Sequence, residues 1–173
     1  MSKASNYSSI ELLRDGRQME IRAVTPDDRT ELLEAVARSS SETLYRRFFG
    51  VRRSFTEQEI DFFSNVDFVD HVALVVILEE AARFVVAAGA RYIVFEPEKA
   101  EMAFAVVDQY QGMGIGTTLM RHLVTIARQA GLSTLTAEVL ASNSQMLKVF
   151  QKSGLRLGIR RESDVVHVEL RLN

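Results

Sequence analysis

The chain has 173 residues, a formal net charge of −2, 47% hydrophobic and 25% charged residues, and no cysteine. This is the makeup of one globular domain, large enough to fold without a disulfide or metal staple. The missing cysteine excludes disulfides, thiolate metal sites and a cysteine nucleophile, and the near-neutral charge excludes the overall basic footprint of a nucleic-acid binder. A local basic group, Arg46, Arg47, Arg52 and Arg53, reads as a solvated face. No apolar run reaches the roughly 18 residues that span a bilayer. The first residues also lack the apolar core of a signal peptide. The chain therefore reads as soluble and cytoplasmic, with no nucleic-acid or membrane partner.

Residues 1–16 are polar and serine-rich and read as a flexible arm, leaving one domain over 17–173. "MEIRAV" (19–24) alternates as a strand does. Thr25-Pro26-Asp27-Asp28 then starts a helix: a threonine cap, proline in the first turn, and acids at the positive end of the dipole. Leu32, Leu33, Val36 and Ala37 follow at helical spacing. "SSSETLYRRFFG" (39–50) predicts a second short helix ended by Gly50, and "TEQEIDFF" (56–63) a third, opened by the capping box of Thr56 and Glu59. "HVALVVIL", "FVVAAGARYIVF" and "EMAFAVV" are β-branched and aromatic, and turn-like breaks separate them. They predict an antiparallel meander buried on both faces. An amphipathic helix over 115–130 closes at Gly131. "STLTAEVL" is a strand, "NSQMLKVFQKSG" a helix capped by Asn143 and ended by Gly154, and "VVHVELRL" a last strand after a weaker one.

Between the meander and the long helix lies "QGMGIG" (111–116), three glycines in five positions. A helix N-terminus carries about half a positive charge and unpartnered N–H groups, so glycines there let a phosphate approach the backbone. The plainer alternative is a turn that only reverses the chain. A nucleotide P-loop needs a lysine after the last glycine, and here Thr117-Thr118 follows. A dinucleotide fold needs G-x-G-x-x-G after a parallel strand and an acid about 20 residues on. Glu138 suits that distance, but the glycines fall as G-x-G-x-G after a meander.

The run Gln111-Gly112-Met113-Gly114-Ile115-Gly116 resembles the Q/R-x-x-G-x-G pyrophosphate loop of the GNAT superfamily of acyl-CoA N-acyltransferases. The order of elements around it is similar to that family's from about residue 17 to the end, and "SNSQMLKVFQKSGL" resembles its asparagine-led helix. "LYRRFF", "AEMAFAVVDQYQGMGIGTTLM" and "AEVLASNSQML" look like the bacterial protein-lysine acetyltransferases of the Pat type. The resemblance implies an α/β (α+β) fold with a mixed, mostly antiparallel sheet of six to seven strands flanked by helices. It implies that backbone N–H groups of Gly112, Met113, Gly114, Ile115, Gly116 and Thr117 hold the pyrophosphate of acetyl-CoA, with Gln111 shaping the start of the loop. Phe104, Ala105, Val106 and Val107 would offer main-chain hydrogen bonds to the pantetheine arm, which being plain sheet core does not preclude.

Asn143 is either a helix cap alone or also a contact to the coenzyme. Met146 and Phe150 either line the thiol end of the cleft or form helix core. An alkylammonium, with a pKa near 10, must lose a proton before it attacks a thioester. Glu101, in an A-E-x-A-F context like that of Pat-type enzymes, is the candidate base, with Glu138 as runner-up. Many relatives carry a tyrosine as acid where this chain has Phe150; either the thiolate, a fair leaving group, needs no dedicated acid, or Ser142 or water is a weak substitute. The three histidines, His71, His122 and His167, show no metal spacing and read as structural. The expected function is acetyl transfer from acetyl-CoA to a primary amine, a protein lysine foremost. The alternatives are a small amine as acceptor, or a non-catalytic acyl-CoA sensor. No metal is expected, and a homodimer is possible.

Overall fold

The structure, a computed structural model, describes residues 3–48 and 55–173. Gly50, Arg52, Arg53 and the side chain of Phe48 lie outside the described residues. Among those described there are eight strands: β1 (Ser8–Leu12), β2 (Gln18–Ala23), β3 (His71–Glu80), β4 (Arg83–Glu96), β5 (Lys99–Val106), β6 (Thr134–Leu140), β7 (Arg156–Glu162) and β8 (Val165–Arg171). The α-helices are α1 (Arg29–Ala37), α2 (Ser41–Phe48), α3 (Glu57–Ser64), α4 (Ile115–Gln129) and α5 (Ser144–Gln151). The strands form one sheet in the order β1-β2-β3-β4-β5-β6-β8-β7, antiparallel throughout except for β5 with β6.

The expected meander is β3–β4–β5, and its apolar runs are covered on both faces as their composition requires. The first eight residues of β3 are all buried. On one face α4 packs on β4 and β5 and carries α5, whose Phe150 meets Phe104 edge-on. On the other face α1 and α2 lie over β4 and β5. No helix among the described residues is long and apolar enough to cross a membrane.

The flexible arm expected over 1–16 is replaced from Ser8 to Leu12 by β1, an edge strand paired with β2. This adds the eighth strand to the six or seven expected. The polar composition is real, but it belongs to an edge whose outer face is solvated, where Ile10 and Leu12 remain exposed. What holds the segment is tertiary. Leu13 is buried, the Tyr7 hydroxyl bonds His122 Nδ1, and the Glu11 carboxylate accepts from His122 Nε2 at 2.7 Å and from Arg121 at 3.1 Å. No residue-to-residue period announces such contacts.

The Thr25-Pro26-Asp27-Asp28 start is present as a 3-10 turn over Pro26–Asp28 that leads into α1, and Thr56 and Glu59 form the expected capping box of α3. Asp28 does more than cap. It is buried, accepts from both Arg22 Nη atoms at 2.7 and 2.8 Å, and accepts from the Thr25 N–H at 2.7 Å. Burial pushes its pKa up, but the Arg22 and Thr25 bonds outweigh that and leave it lowered. Asp28→Ala would strand the half-buried Arg22 guanidinium, and we expect a loss of about 2–4 kcal/mol in urea unfolding.

His71 opens β3, is buried, and has its Nε2 2.9 Å from Arg91 Nη1. Burial, helped by the charge of Arg91, pulls its pKa down to about 4. An unfolded histidine titrates near 6.5, so between about 6.5 and 4 the unfolded chain binds the extra proton. Stability contributed by neutral His71 is therefore lost as the pH falls through that window. His71→Gln, which keeps an acceptor for Arg91, should flatten this part of a stability-against-pH curve.

Candidate active site

Everything at the site follows from where β5 and β6 stop pairing. They are parallel neighbours only at Lys99–Thr134, Ala100–Leu135 and Glu101–Thr136. Beyond Glu101, β5 stays with β4 as far as Val106, while β6 stays with β8 as far as Leu140. The two strands diverge, and the outer edge of residues 102–106 has no ladder partner. The mouth of the gap is braced by Gln111, whose Nε2 donates to the Val106 carbonyl at 3.0 Å and to Thr43 Oγ1 at 3.1 Å.

At the wide end stands the glycine loop. Gly112 and Gly114 have φ of +79° and +85°, a conformation costly for any residue with a Cβ. Gly114 caps α4 without any side-chain hydrogen bond. The first-turn N–H groups of α4 are thus left for a ligand at its positive end. Gly116 faces α5, where a Cβ would lie 3.4 Å from Val149 Cγ2, at the edge of ordinary contact.

The cleft, about 260 Å³, is lined by Phe104, Ala105, Val106, Gln111, Gly112, Gly114, Ile115, Gly116, Thr117, Asn143 and Met146. The structure thus brings together most of the residues expected from sequence. Val107 and Met113 are not on its wall. The Val107 N–H donates to Ala87 on the β4 side at 2.9 Å, and its side chain faces the helices of the opposite layer; Met113 packs against the core. Cations absent from the sequence reading of the site also line the cleft: Arg14, Lys148 and Lys152, together with Arg46 and Arg47, which form part of its wall and not the solvated face expected of them. Arg14 comes from the β1–β2 turn, its guanidinium 3.4–3.7 Å from where a Cβ on Gly114 would sit. Reading the N-terminus as an arm hid it. Lys148 and Lys152 could have been found as a pair at i, i+4 on the asparagine-led helix.

At the fork the cleft continues into a second cavity of about 260 Å³, lined by Arg46, Arg47, Glu101, Phe104, Glu138, Asn143, Met146 and Phe150 among others. Glu101 is the last residue of β5 paired with β6. Partial burial raises its pKa, the nearby Glu138 raises it further, and Arg47 opposes both. Asn143 caps α5 through Oδ1, which accepts from the Met146 N–H at 3.2 Å, and it lines both cavities. Phe150 is 1% exposed and stacks edge-on against Phe104 with ring centroids 6.0 Å apart. It is core first and cavity wall second. Ser142 is exposed and lines neither cavity. None of the histidines lines either cavity. His122 ties β1 to α4, and His167 lies 3.4 Å from Glu138 and 3.3 Å from Glu162.

The profile of the Acetyltransferase (GNAT) family matches residues 33–155. The Acetyltransferase Pat of Mycolicibacterium smegmatis is 36% identical over 160 residues, 91% of this chain and 47% of that protein, so the chain spans about half the length of Pat. The Acetyltransferase PA5475 of Pseudomonas aeruginosa is 30% identical over 138 residues, 79% of this chain and 74% of that one. The crystal structure of the GNAT domain of S. lividans PAT superposes with a TM-score of 0.85 at 31% identity, covering 95% of this chain and 96% of that one. With its parting strands, its glycine loop and its asparagine-capped helix in this arrangement, the chain belongs to the GNAT family of acetyltransferases.

Proposed function

We propose that the protein transfers the acetyl group of acetyl-CoA to a primary amine, a protein lysine foremost, with Glu101 as general base. The observation that carries this reading is the position of Glu101, at the fork of β5 and β6, between the coenzyme cleft and an open groove of opposite charge. The groove, about 520 Å³, is lined by Glu101, Glu138 and Glu169 with Thr136, His167 and Arg160 on the face of β6, β8 and β7. Three carboxylates there favour a cationic amine, and an open groove suits a side chain presented by a protein surface. The likeness to Pat supports the same reading.

On this reading the cationic wall and the N-terminus of α4 hold the coenzyme's phosphates, and the free edge of β5 aligns the pantetheine arm. The thioester then reaches the fork. A raised carboxyl pKa makes Glu101 a better proton acceptor than an ordinary surface glutamate. It takes a proton from the ammonium, directly or through water. The amine nitrogen attacks the thioester carbon, the C–S bond breaks, and the thiolate departs. A thiol has a pKa of about 8.5, so its thiolate leaves without a strong acid. Phe150, which has no proton to give, is compatible with that.

Glu101→Gln keeps shape and removes the base. We expect kcat to fall about 10²- to 10⁴-fold, while the Kd for acetyl-CoA from calorimetry stays within about twofold. Undiminished thiol release would remove Glu101 from the mechanism. For the wild type, kcat/KM should decline toward acid pH through a carboxyl titration displaced upward from the usual range, since Glu101 acts deprotonated. Gly114→Ala places a Cβ at φ +85° against Arg14. A strain of about 1–2 kcal/mol predicts a coenzyme Kd weaker by about tenfold if the loop cradles phosphate, and an unchanged Kd if it only turns the chain.

A further inference from the structure

Beneath α1 and α2 the described residues leave a hollow over the sheet. Gly89 on β4 stands opposite Ala105 on β5, and the next pair on this face is Arg91 with Ala103. These small residues leave a cavity of about 120 Å³ roofed by Leu32, Val36 and Leu44. No residue of α1 is fully buried, because the helix bridges this space instead of filling it. Protein interiors close such voids unless something enters them. The cavity adjoins the coenzyme cleft, since Thr43, Arg47 and Ala105 line both.

Its polar wall is cationic. Arg91 donates to His71 Nε2 at 2.9 Å and to the Phe63 carbonyl at 3.2 Å, and its guanidinium carbon lies 4.8 Å from the Phe63 ring centroid. None of these partners is an anion, as burial keeps His71 neutral. Arg47 lies over the same ring at 5.9 Å. Burial pulls Arg91 down to about 9, and the charge of Arg47 adds to that. A guanidinium buried against an apolar space with only neutral partners is costly, and for Arg91 that cost is relieved by a negative group placed beside it.

The route into this space from the fork passes Ala103 and Arg47, which line both the fork cavity and the hollow. We propose that the cavity is an acyl pocket for a terminal carboxylate, so that the enzyme accepts short dicarboxylic acyl thioesters, a succinyl group on coenzyme A foremost, with Arg91 binding the carboxylate. This rests on the acyl-CoA transferase reading above and specifies its donor. From Glu101, at the fork that the thioester reaches, to the Arg91–Ala103 pair is one two-residue step, about 7 Å along the strand. A four-carbon dicarboxylic chain plus one hydrogen bond covers that distance. The amine nitrogen bonds the thioester carbon, the C–S electron pair leaves with sulfur, and the ammonium proton passes to Glu101. The far carboxylate is unchanged, so the acceptor's positive charge is replaced by a negative one.

The test compares succinyl-CoA with butyryl-CoA, which has the same chain length and no carboxylate. Calorimetry on the wild-type protein should show succinyl-CoA binding about 10- to 100-fold tighter, the range that a charge-assisted hydrogen bond supplies. Arg91→Met should abolish that preference while acetyl-CoA turnover stays within about threefold. If Arg91→Met does not fold, the wild-type binding ratio decides alone. Equal or tighter binding of butyryl-CoA, or a preference that survives in Arg91→Met, would overturn the proposal. Acetyl-CoA in the same thiol-release assay keeps the two readings apart. Turnover of acetyl-CoA without a succinyl preference defeats only the pocket. A succinyl preference in binding without turnover of any donor supports the pocket and counts against the transferase reading.

Discussion

The parting of two parallel strands after Glu101 is the constraint on which the rest of this structure depends. A sheet normally satisfies its backbone by continuous pairing. Here β5 and β6 each keep one neighbour and abandon the other. The gap leaves one strand edge unpaired and holds Glu101 at its apex. It also lets α5 lean on Phe104 through Phe150. Gln111 spans the mouth, tying β5 to α2, so the opening is held to one width. The glycine loop matters because it delivers the positive end of α4 to the wide end of this gap.

Charge is distributed along the gap in an ordered way. At the wide end are Arg14, Arg46, Lys148 and Lys152; beyond the apex lie Glu101, Glu138 and Glu169. The near-neutral total conceals this separation. An anionic coenzyme and a cationic amine would each find the complementary end, and they would meet at the residue best placed to move a proton. Arg47 lines the coenzyme cleft, the fork and the hollow under α1, so its field acts on all three. It already opposes the upward displacement of Glu101.

Several features run against stability. Gly112 and Gly114 hold left-handed backbone, α4 starts without a side-chain cap, and the described residues do not fill the space beside Gly89 and Ala105. Arg91 is buried with neutral partners only. Such departures collect at the cleft and the hollow next to it, whereas β3 and the face under α4 pack densely. Concentration of local cost around a binding site is the pattern expected where ligands supply the missing contacts.

The strand–helix order from 19 to the end, the capping boxes, the meander and the glycine loop were legible in the sequence, because each rests on a local signal: period, cap chemistry or glycine position. Glu101 was singled out by its motif context, and the structure places it at the fork, where its role as base is proposed. Val107 and Met113 lie off the cleft lining, a placement set by packing between segments that no motif encodes. β1 was missed because its polar residues satisfy an edge strand as readily as an arm; Leu13, Tyr7 and Glu11 hold it through contacts more than a hundred residues away in sequence. Arg14 over Gly114, the Arg47–Arg91 pair and the hollow beneath α1 likewise arise only where distant segments are brought together. The sequence by itself determined the elements, their order and the chemistry of the loop, since these depend on neighbours within a few residues. The tertiary structure alone decided which charges share a cavity and which strand edges stay open, because those depend on register and packing between segments far apart in the chain.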